Sequence, residues 1–191
     1  MKIEQIKQMI ASGRQSLWLT NANLEGAALP GVSLIRAQLL RANLSQADLN
    51  EADLSGANVM SANLQSINLR GAKLDGATLS GVDLTNADLS GASLIDADLS
   101  RATIVHANFS GADLTRANFG ESNLSQSNFQ DANLTQAHLS EVSLAEANLS
   151  KANLTDANIR ESDLSGANID GAIIDGADFE FSILPDGSVD N

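Results

Sequence analysis

The chain has 191 residues, of which 43% are hydrophobic and 3% aromatic, so its core must be built mainly from Leu and Ala. Its formal net charge of −13 disfavours direct binding to nucleic acid or to anionic membrane lipids. The absence of cysteine excludes disulfides, thiolate-bound zinc and iron–sulfur clusters.

Residues 1–21 are predicted to form an N-terminal helix and a capping segment. Apolar residues recur there at the i, i+3, i+7 spacing of a short amphipathic helix: Ile3, Ile6 and Ile10, with Met9 alongside. Gly13 is a candidate helix stop, and the segment after it is expected to plug the first coil with Leu17, Trp18 and Leu19. The segment has no continuous apolar stretch of signal-peptide or membrane-spanning length, so we expect a cytoplasmic protein.

A five-residue repeat occupies residues 22–184. From Leu24 to Phe179 every fifth residue is apolar, and 23 of these 32 positions are Leu. Ala usually lies two residues earlier, and Asn or Asp lies between them in 22 of the 32 units. The last two places are mostly small or polar, which gives the motif A-(N/D)-L-x-x, as in Ala107-Asn108-Phe109-Ser110-Gly111.

A period of five does not fit an α-helix, because the Leu residues would drift by about 140° per repeat. A short extended piece fits better, since Ala and Leu then point to one side and Asn or Asp to the other. The x-x pair turns a corner. Repetition of strand and corner winds the chain into a coil with Leu and Ala inside. The coils stack as parallel strands about 4.8 Å apart, and we expect a right-handed winding.

On these residues the chain resembles the pentapeptide-repeat family over about residues 22–182. The resemblance implies an all-β fold, a right-handed quadrilateral parallel β-helix with 20 residues per coil. About eight coils would make a rod about 38 Å long by the strand spacing. Period five alone leaves three or four sides open. Recurrences at a spacing of 20, such as Gly71/Gly91/Gly111, favour four.

The inward Leu residues of successive coils are expected to stack on one another as ladders. Two parts of the rod are expected to depart from this pattern. Phe109 and Phe129 lie on one wall and Phe119 on the opposite wall, so we expect one interdigitated aromatic layer in the core. Phe181, Ile183 and Leu184 close the repeat, and residues 185–191 form a polar tail. The last coil is expected to be covered by these residues or by a second subunit, so the chain is a monomer or a dimer through its C-terminal coil.

The sequence predicts no catalytic, cofactor-binding or metal-binding residues. His106 and His138 fall on different walls at different heights, which gives no metal pair or catalytic triad. The Ser residues lie mostly at corners with no neighbouring base and are expected to form turns. Phosphate-binding and calcium-binding glycine motifs are absent from the sequence. We therefore expect a protein that is not an enzyme.

Two surface features are candidate partner-binding sites. Glu121, Glu141 and Glu161 share a corner position in three successive coils, with Arg101 one coil below and Arg160 beside Glu161. Stacked carboxylates repel one another, which would be a reason to look for a cationic partner there; the alternative is a solvated edge partly relieved by those two arginines. The second feature is apolar and lies at the outward corners Ile35, Leu40 and Met60, for which contact with the N-terminal segment is the alternative.

Three functions fit these features. The first is a rigid scaffold or regulatory module that binds another protein of unknown identity through its walls or corners. The second comes from the resemblance, since some pentapeptide-repeat proteins imitate DNA, bind DNA gyrase and protect cells from quinolones. The weak apolar C-terminal end and the unbroken repeat from Ala22 to Ser182 depart from that subgroup. The third is a structural spacer with no dedicated partner. Family members are abundant in cyanobacteria.

Overall fold

One short helix precedes the repeat in the computed structural model, which describes residues 3–12 and 17–190. Helix α1 spans Ile3–Ala11. The predicted apolar face is confirmed at Ile6, which is fully buried, and at Met9 and Ile10, which pack against the core. The side chain of Ile3 and the proposed stop Gly13 lie outside the described residues. The amphipathic face thus packs on the core at the N-terminal end of the repeat.

The segment after α1 enters the repeat one unit earlier than expected. Leu17 and Leu19 are buried, as predicted, but Trp18 is 72% exposed, so the prediction that it plugs the first coil is wrong. Trp18 is the middle residue of an extended triplet, and neighbouring side chains of an extended chain point to opposite sides. The two leucines therefore take the inward positions and the tryptophan points outward.

The repeat is held together by parallel β-bridges between residues twenty apart. The bridging residue is the middle one of each unit, as in Asn108↔Asn128 and Asn128↔Asn148, and four columns of such bridges follow one another around the chain. We call twenty residues a coil, each column a wall, and the two turn residues between walls a corner. Only three residues of each unit are extended, so the described chain contains isolated bridges rather than continuous strands.

Backbone hydrogen bonds use four of the five N–H groups in a typical unit. In the unit Asn43–Ala47, Asn43 N–H donates to Ala22 O at 2.9 Å and Leu44 N–H to Asn63 O at 2.8 Å. Gln46 N–H donates to Gln65 O at 2.9 Å, and Ala47 N–H closes the turn on Leu44 O at 3.1 Å. The remaining donor is the N–H of the first corner residue.

The Asn or Asp of the motif supplies the missing acceptor. Asn43 Oδ1 accepts the Ser45 N–H at 3.1 Å, and the same contact recurs from Asp48 to Asn50 and from Asp53 to Ser55. This is an Asx-type bond, in which a side chain caps the backbone two residues on. The amide Nδ2 then donates to the residue one coil below, as Asn68 does to Asp48 Oδ1 at 2.8 Å. The Asn and Asp side chains therefore cap the turns and also link successive coils.

The core is a column of Leu and Ala residues that are almost fully buried from Leu17 to Ala167. Phe109 and Phe129 stack at 5.0 Å with an interplanar angle of 7°. Phe119 meets both rings edge-on at 6.2 Å. This confirms the aromatic layer. Such geometries add about 0.5–1.5 kcal/mol per pair beyond the burial of area.

Four serines at the Ala position are buried and connect neighbouring coils. Ser162 Oγ donates to Leu139 O at 2.7 Å and accepts the Val142 N–H at 3.1 Å. It therefore inserts into the turn one coil below, between a carbonyl and an N–H that would otherwise bond each other. The same insertion is made by Ser122, Ser127 and Ser182. The buried hydroxyl is accommodated because it both donates and accepts a hydrogen bond.

The C-terminal coil is less covered than the rest. Ile174, at an inward position, is 45% exposed, and Phe181, at a corner, is 52% exposed. The tail forms an antiparallel bridge between Ile183 and Val189, with Phe181 N–H on Asp190 O at 2.8 Å. The polar tail thus folds over one wall, and the inward residues of the neighbouring walls remain accessible.

Candidate partner-binding surface

The corners fix how outward side chains are presented. Every fifth residue from Asn21 to Phe181 has a positive φ, including Glu121, Glu141 and Glu161 at 57–60°. The left-handed region costs about 1–2 kcal/mol for an ordinary residue. It persists here because the N–H of each such corner residue from Asn21 to Gly166 bonds the coil above, as Glu141 N–H does to Arg160 O at 3.0 Å. The Cα–Cβ bonds in one column of corners therefore point the same way, one coil apart.

The Glu121–Glu141–Glu161 column, which we call the acidic edge, is relieved at one end only. Arg101 forms a two-point ion pair with Glu121, with Nε–Oε2 at 3.2 Å and Nη2–Oε1 at 3.0 Å. The hydrogen bond from Arg101 and its charge hold the pKa of Glu121 below its ordinary value. Glu141 and Glu161 have no ion pair among the described residues. Two successive carboxylates of the edge are left without a cation.

The expected relief of Glu161 by Arg160 is wrong. Arg160 Nη1 lies 3.1 Å from Asp178 Oδ2 and also contacts Glu180, and its guanidinium lies 5.6 Å from the Phe181 ring centre. The Glu180 N–H and the Arg160 guanidinium hold the pKa of Asp178 below its ordinary value. Arg160 therefore reaches toward the C-terminal coil rather than across its own corner. Its charge is paired with Asp178 and Glu180 and not with the acidic edge.

Negative charge is concentrated toward the C-terminal end of the rod and is not confined to one wall. Residues 121–190 contain 13 acidic and 2 basic residues, whereas residues 1–120 contain 11 acidic and 9 basic residues. The acidic edge lies within residues 121–190, which we call the acidic region. Over the last coils a partner would meet a surface with a net charge of −11, most of the total of −13. Counting charges along the repeat, not only around it, would have found this asymmetry.

The predicted apolar corners are brought close together at the opposite end of the repeat. Ile35 is 46% exposed and Met60 is 37% exposed, while Leu40 is half-buried. Leu40 and Met60 follow the same wall in successive coils, and Ile35 lies at the other corner of that wall. The exposed Trp18 occupies this wall one coil before Gln38. Sequence reasoning missed Trp18 because it assigned the residue to the core.

One Ser–His contact contradicts the expectation that no serine has a neighbouring base. Ser140 Oγ lies 2.9 Å from His138 Nε2, and Asn158 Nδ2 lies 3.3 Å from His138 Nδ1. The spacing i, i+2 across the end of a wall was the signal that could have found it. Asn158 Oδ1 accepts the Arg160 N–H at 3.2 Å, which directs the amide NH2 toward the ring.

The orientation of Asn158 decides what His138 can do. An amide donor at Nδ1 requires a lone pair on Nδ1, so the neutral ring carries its proton on Nε2. His138 then donates to Ser140 Oγ and cannot remove its proton. This is the reverse of the arrangement in a serine hydrolase. The trio forms a surface hydrogen-bond network rather than a nucleophile–base pair.

Metal-binding clusters and concave surfaces are the remaining candidate sites in residues 3–12 and 17–190. No group of three His, Cys, Asp or Glu residues suited to a metal ion occurs in that part of the chain. An open groove of about 510 Å³ crosses one corner, and Gly71 and Gly91 leave room for it because they carry no side chain. Its lining is polar: Asn50, Glu51, Asn68, Arg70 and Ser90. None of the helices described is long and apolar enough to cross a membrane.

A family model of pentapeptide repeats matches the chain in eight copies that extend from residue 19 to residue 180. The matched segments are residues 19–56, 52–91, 62–101, 92–131, 127–166 and 143–180. The chain belongs to the pentapeptide-repeat family. No curated protein matches the sequence significantly.

Solved structures of this family resemble the chain. HetL, a pentapeptide-repeat protein involved in heterocyst differentiation regulation in the cyanobacterium Nostoc sp. strain PCC 7120, is 30% identical, with 99% of each chain covered and a TM-score of 0.47. Full-length QnrB1, a plasmid-mediated fluoroquinolone resistance protein, is 17% identical, with 89% of this chain and 83% of QnrB1 covered and a TM-score of 0.61. The likeness to QnrB1 shows a shared fold.

Proposed function

We propose that this pentapeptide-repeat protein is a non-catalytic rigid rod that binds another protein through its outward surface and acts as a scaffold or regulator. We also propose that its coils are right-handed and four-sided. The walls would then form flat faces that run the length of residues 22–184, between an N-terminal cap in residues 1–21 and the tail at 185–191. The acidic edge is the first candidate contact.

The observation that carries this proposal is the unrelieved charge of Glu141 and Glu161. Both are fixed at corner positions by backbone hydrogen bonds, and both lack a cation in the described chain. A cationic partner would remove the repulsion between them without any rearrangement of the rod. Repeat proteins use such extended rigid surfaces to bind partners. The involvement of the similar protein HetL in the regulation of differentiation supports a regulatory binding role.

The test is affinity capture from the lysate of the source organism. The bait is compared with a variant in which Glu121, Glu141 and Glu161 are all changed to Gln. A matched control changes Glu25, Glu51 and Glu146 to Gln, which removes the same charge from other corners. The proposal expects one protein to be captured by the bait and the control but lost with the edge variant. Equal capture by all three would reject the acidic edge as the site.

A DNA-mimicking inhibitor of gyrase is the second candidate. The net charge of −11 on residues 121–190 favours it, as does the fold shared with QnrB1. An acidic rod can occupy a surface that binds the phosphate backbone of DNA. This candidate predicts that the purified protein protects supercoiling by purified gyrase from a fluoroquinolone. An unchanged inhibition curve at a tenfold excess of the rod would exclude it.

Dimerisation through the last coil is a separate proposal, supported by the exposed Ile174 and Phe181. Sedimentation at micromolar concentration distinguishes a dimer from a monomer, and Ile174→Ser should abolish a dimer formed there. A structural spacer with no partner would instead tolerate every outward substitution without loss of function in the cell. We place the protein in the cytoplasm, and labelling of the protein in cell fractions tests that location.

A further inference from the structure

The outward surface around Trp18 differs in chemistry from the rest of the rod. Trp18 is 72% exposed, and Ile35 and Met60 are 46% and 37% exposed. Arg36 and Arg41 lie at the adjacent corner positions. We call Trp18, Ile35, Leu40 and Met60, together with Arg36 and Arg41, the Trp18 patch. It combines apolar and cationic groups on a protein with a formal charge of −13.

The bridges place these residues side by side. Trp18 bridges to Gln38, which bridges to Asn58, so the three are successive rungs of one wall. Ile35–Arg36 and Leu40–Arg41 are the two corners that flank Gln38, and Met60 follows Asn58 in the next coil. At about 4.8 Å between coils the patch extends about 10 Å along the rod. It is therefore one continuous surface and not a set of scattered exposed residues.

Both arginines of the patch are available for a partner. Neither Arg36 nor Arg41 has an ion pair within the described ranges, in contrast to Arg101, Arg116 and Arg160. The aliphatic stem of Arg36 extends over the same corner one coil further on. A Cβ added to Gly56 there would lie 3.4 Å from Arg36 Cγ. The outward residues of this wall over three coils include no carboxylate, nor do its described flanking corners.

The nearest carboxylates lie on neighbouring parts of the rod, outside this wall and its described flanking corners. Glu25 and Asp53, on neighbouring parts of the rod, accept hydrogen bonds from Asn43 and Ser55. The acidic region, residues 121–190, begins four coils beyond Arg41, or about 19 Å at the ordinary strand spacing. That distance is more than twice the Debye length of about 8 Å at physiological ionic strength. A partner at the patch would therefore respond to the local positive charge.

We propose that the Trp18 patch docks an acidic segment of a partner protein that carries an apolar side chain. The apolar side chain packs on Trp18, Ile35 and Met60, and carboxylates of the segment pair with Arg36 and Arg41. Trp and Arg are the residue types that most often dominate binding energy at protein interfaces. Bidentate pairing of Arg with carboxylates also sets the register of the segment. This inference rests on the proposed partner-binding function and adds a second contact surface to it.

The experiment is photo-crosslinking from the edge of the patch. A photoreactive amino acid replaces Thr20, an exposed corner residue next to Trp18, and the protein is irradiated in the lysate. Mass spectrometry then identifies the cross-linked peptide. The proposal expects a segment with net negative charge and at least one apolar residue. Yield should fall at least tenfold in Arg36→Glu/Arg41→Glu and in Trp18→Ala.

A matched control separates the patch from a general change of charge. Arg70→Glu/Lys73→Glu alters the net charge by the same amount on another part of the rod and should leave the yield unchanged. Unfolding curves of all variants establish that the rod is intact. A cross-link to lipid, to a second copy of this chain or to a basic segment would overturn the proposal, as would a yield that ignores the arginine reversals.

The outcomes also distinguish this inference from the proposed function. If Thr20 yields no cross-link while the acidic edge still captures a partner, the patch is not a docking site and the binding function stands. If neither surface engages any protein, both are wrong.

Discussion

The side chain at the Asn/Asp position of the repeat should contribute measurably to stability, and Asn128 is the position to test. Its Oδ1 accepts the Gln130 N–H at 3.1 Å, and Asn148 Nδ2 donates to the same oxygen at 3.0 Å. Its Nδ2 donates to Asn108 Oδ1 at 3.2 Å. Asn128→Ala removes all three bonds and leaves the inward side chains in place.

The size of the effect follows from those bonds. A net contribution of about 0.5–1.5 kcal/mol is typical of one hydrogen bond. Water replaces part of the loss at this half-buried wall, so we expect Asn128→Ala to cost about 1–3 kcal/mol in total. The reverse change is available at Thr78, because the Ser80 N–H has no acceptor among the described residues. Thr78→Asn should cap that N–H and add about 0.5–1.5 kcal/mol.

Urea unfolding followed by circular dichroism measures both changes. The two variants should shift the midpoint in opposite directions, with the slope of the transition unchanged. Equal slopes are needed because repeat proteins can lose cooperativity. Shifts below about 0.3 kcal/mol in both variants, or a loss in Thr78→Asn, would show that the Asx bond adds no stability and that this reasoning is wrong.

Four further substitutions, at three positions, are tested by the same unfolding assay. Phe119→Ala removes the ring that meets two others edge-on and should cost about 3–5 kcal/mol. Phe119→Leu, which restores the common residue, should cost less. Gly91→Ala should cost about 1–2 kcal/mol, because φ is +65° and no atom lies within 4 Å of the added Cβ, so only the backbone conformation is penalised. Asp83→Asn should remove part of the acid sensitivity. Burial raises the pKa of Asp83, but hydrogen bonds from Thr85 and Gln65 outweigh it, and the folded-state pKa lies below the ordinary 3.8. The stabilisation is thus present above pH 3.8 and is lost as the pH falls through the folded pKa.

Each of these predictions has a result that contradicts it. A loss under about 1 kcal/mol in Phe119→Ala would mean that the core collapses around the missing ring. No loss in Gly91→Ala, or an equal loss at Gly91→Asn, would remove the left-handed conformation as the cause. For Asp83, an energy difference between wild type and Asp83→Asn that stays constant from pH 6 to pH 3 would show that this carboxylate makes no pH-dependent contribution.

The sequence was most informative about the inward residues, because each must fill the same space in every coil. Phe109, Phe119 and Phe129 could be placed from the register alone. The same register also determines Trp18, since Leu17 and Leu19 take the Ala and Leu positions of one more unit. The expectation that Leu17, Trp18 and Leu19 plug the first coil grouped Trp18 with its two apolar neighbours and did not apply this alternation. Periodicity should therefore take precedence over residue type at the margin of a repeat.

Outward side chains were less predictable, because the repeat sets where they start but not where their charged ends reach. Arg101 pairs with Glu121 one coil on, whereas Arg160 passes over Glu161 to Asp178 and Glu180. Long flexible side chains choose among several carboxylates at similar distances, and the periodic pattern does not rank them. The acidic edge was located from sequence, but its relief at one end only was not.

The central claim, that an outward surface of this rod binds a protein partner by charge, is tested most directly by the salt dependence of affinity for the captured partner. Titration calorimetry from 50 to 500 mM NaCl should show a dissociation constant that rises steeply with salt for the wild type. The variant with Glu121, Glu141 and Glu161 changed to Gln should bind at least tenfold more weakly at low salt, with a shallower slope. The same affinity and the same slope in both proteins would contradict the claim for the acidic edge.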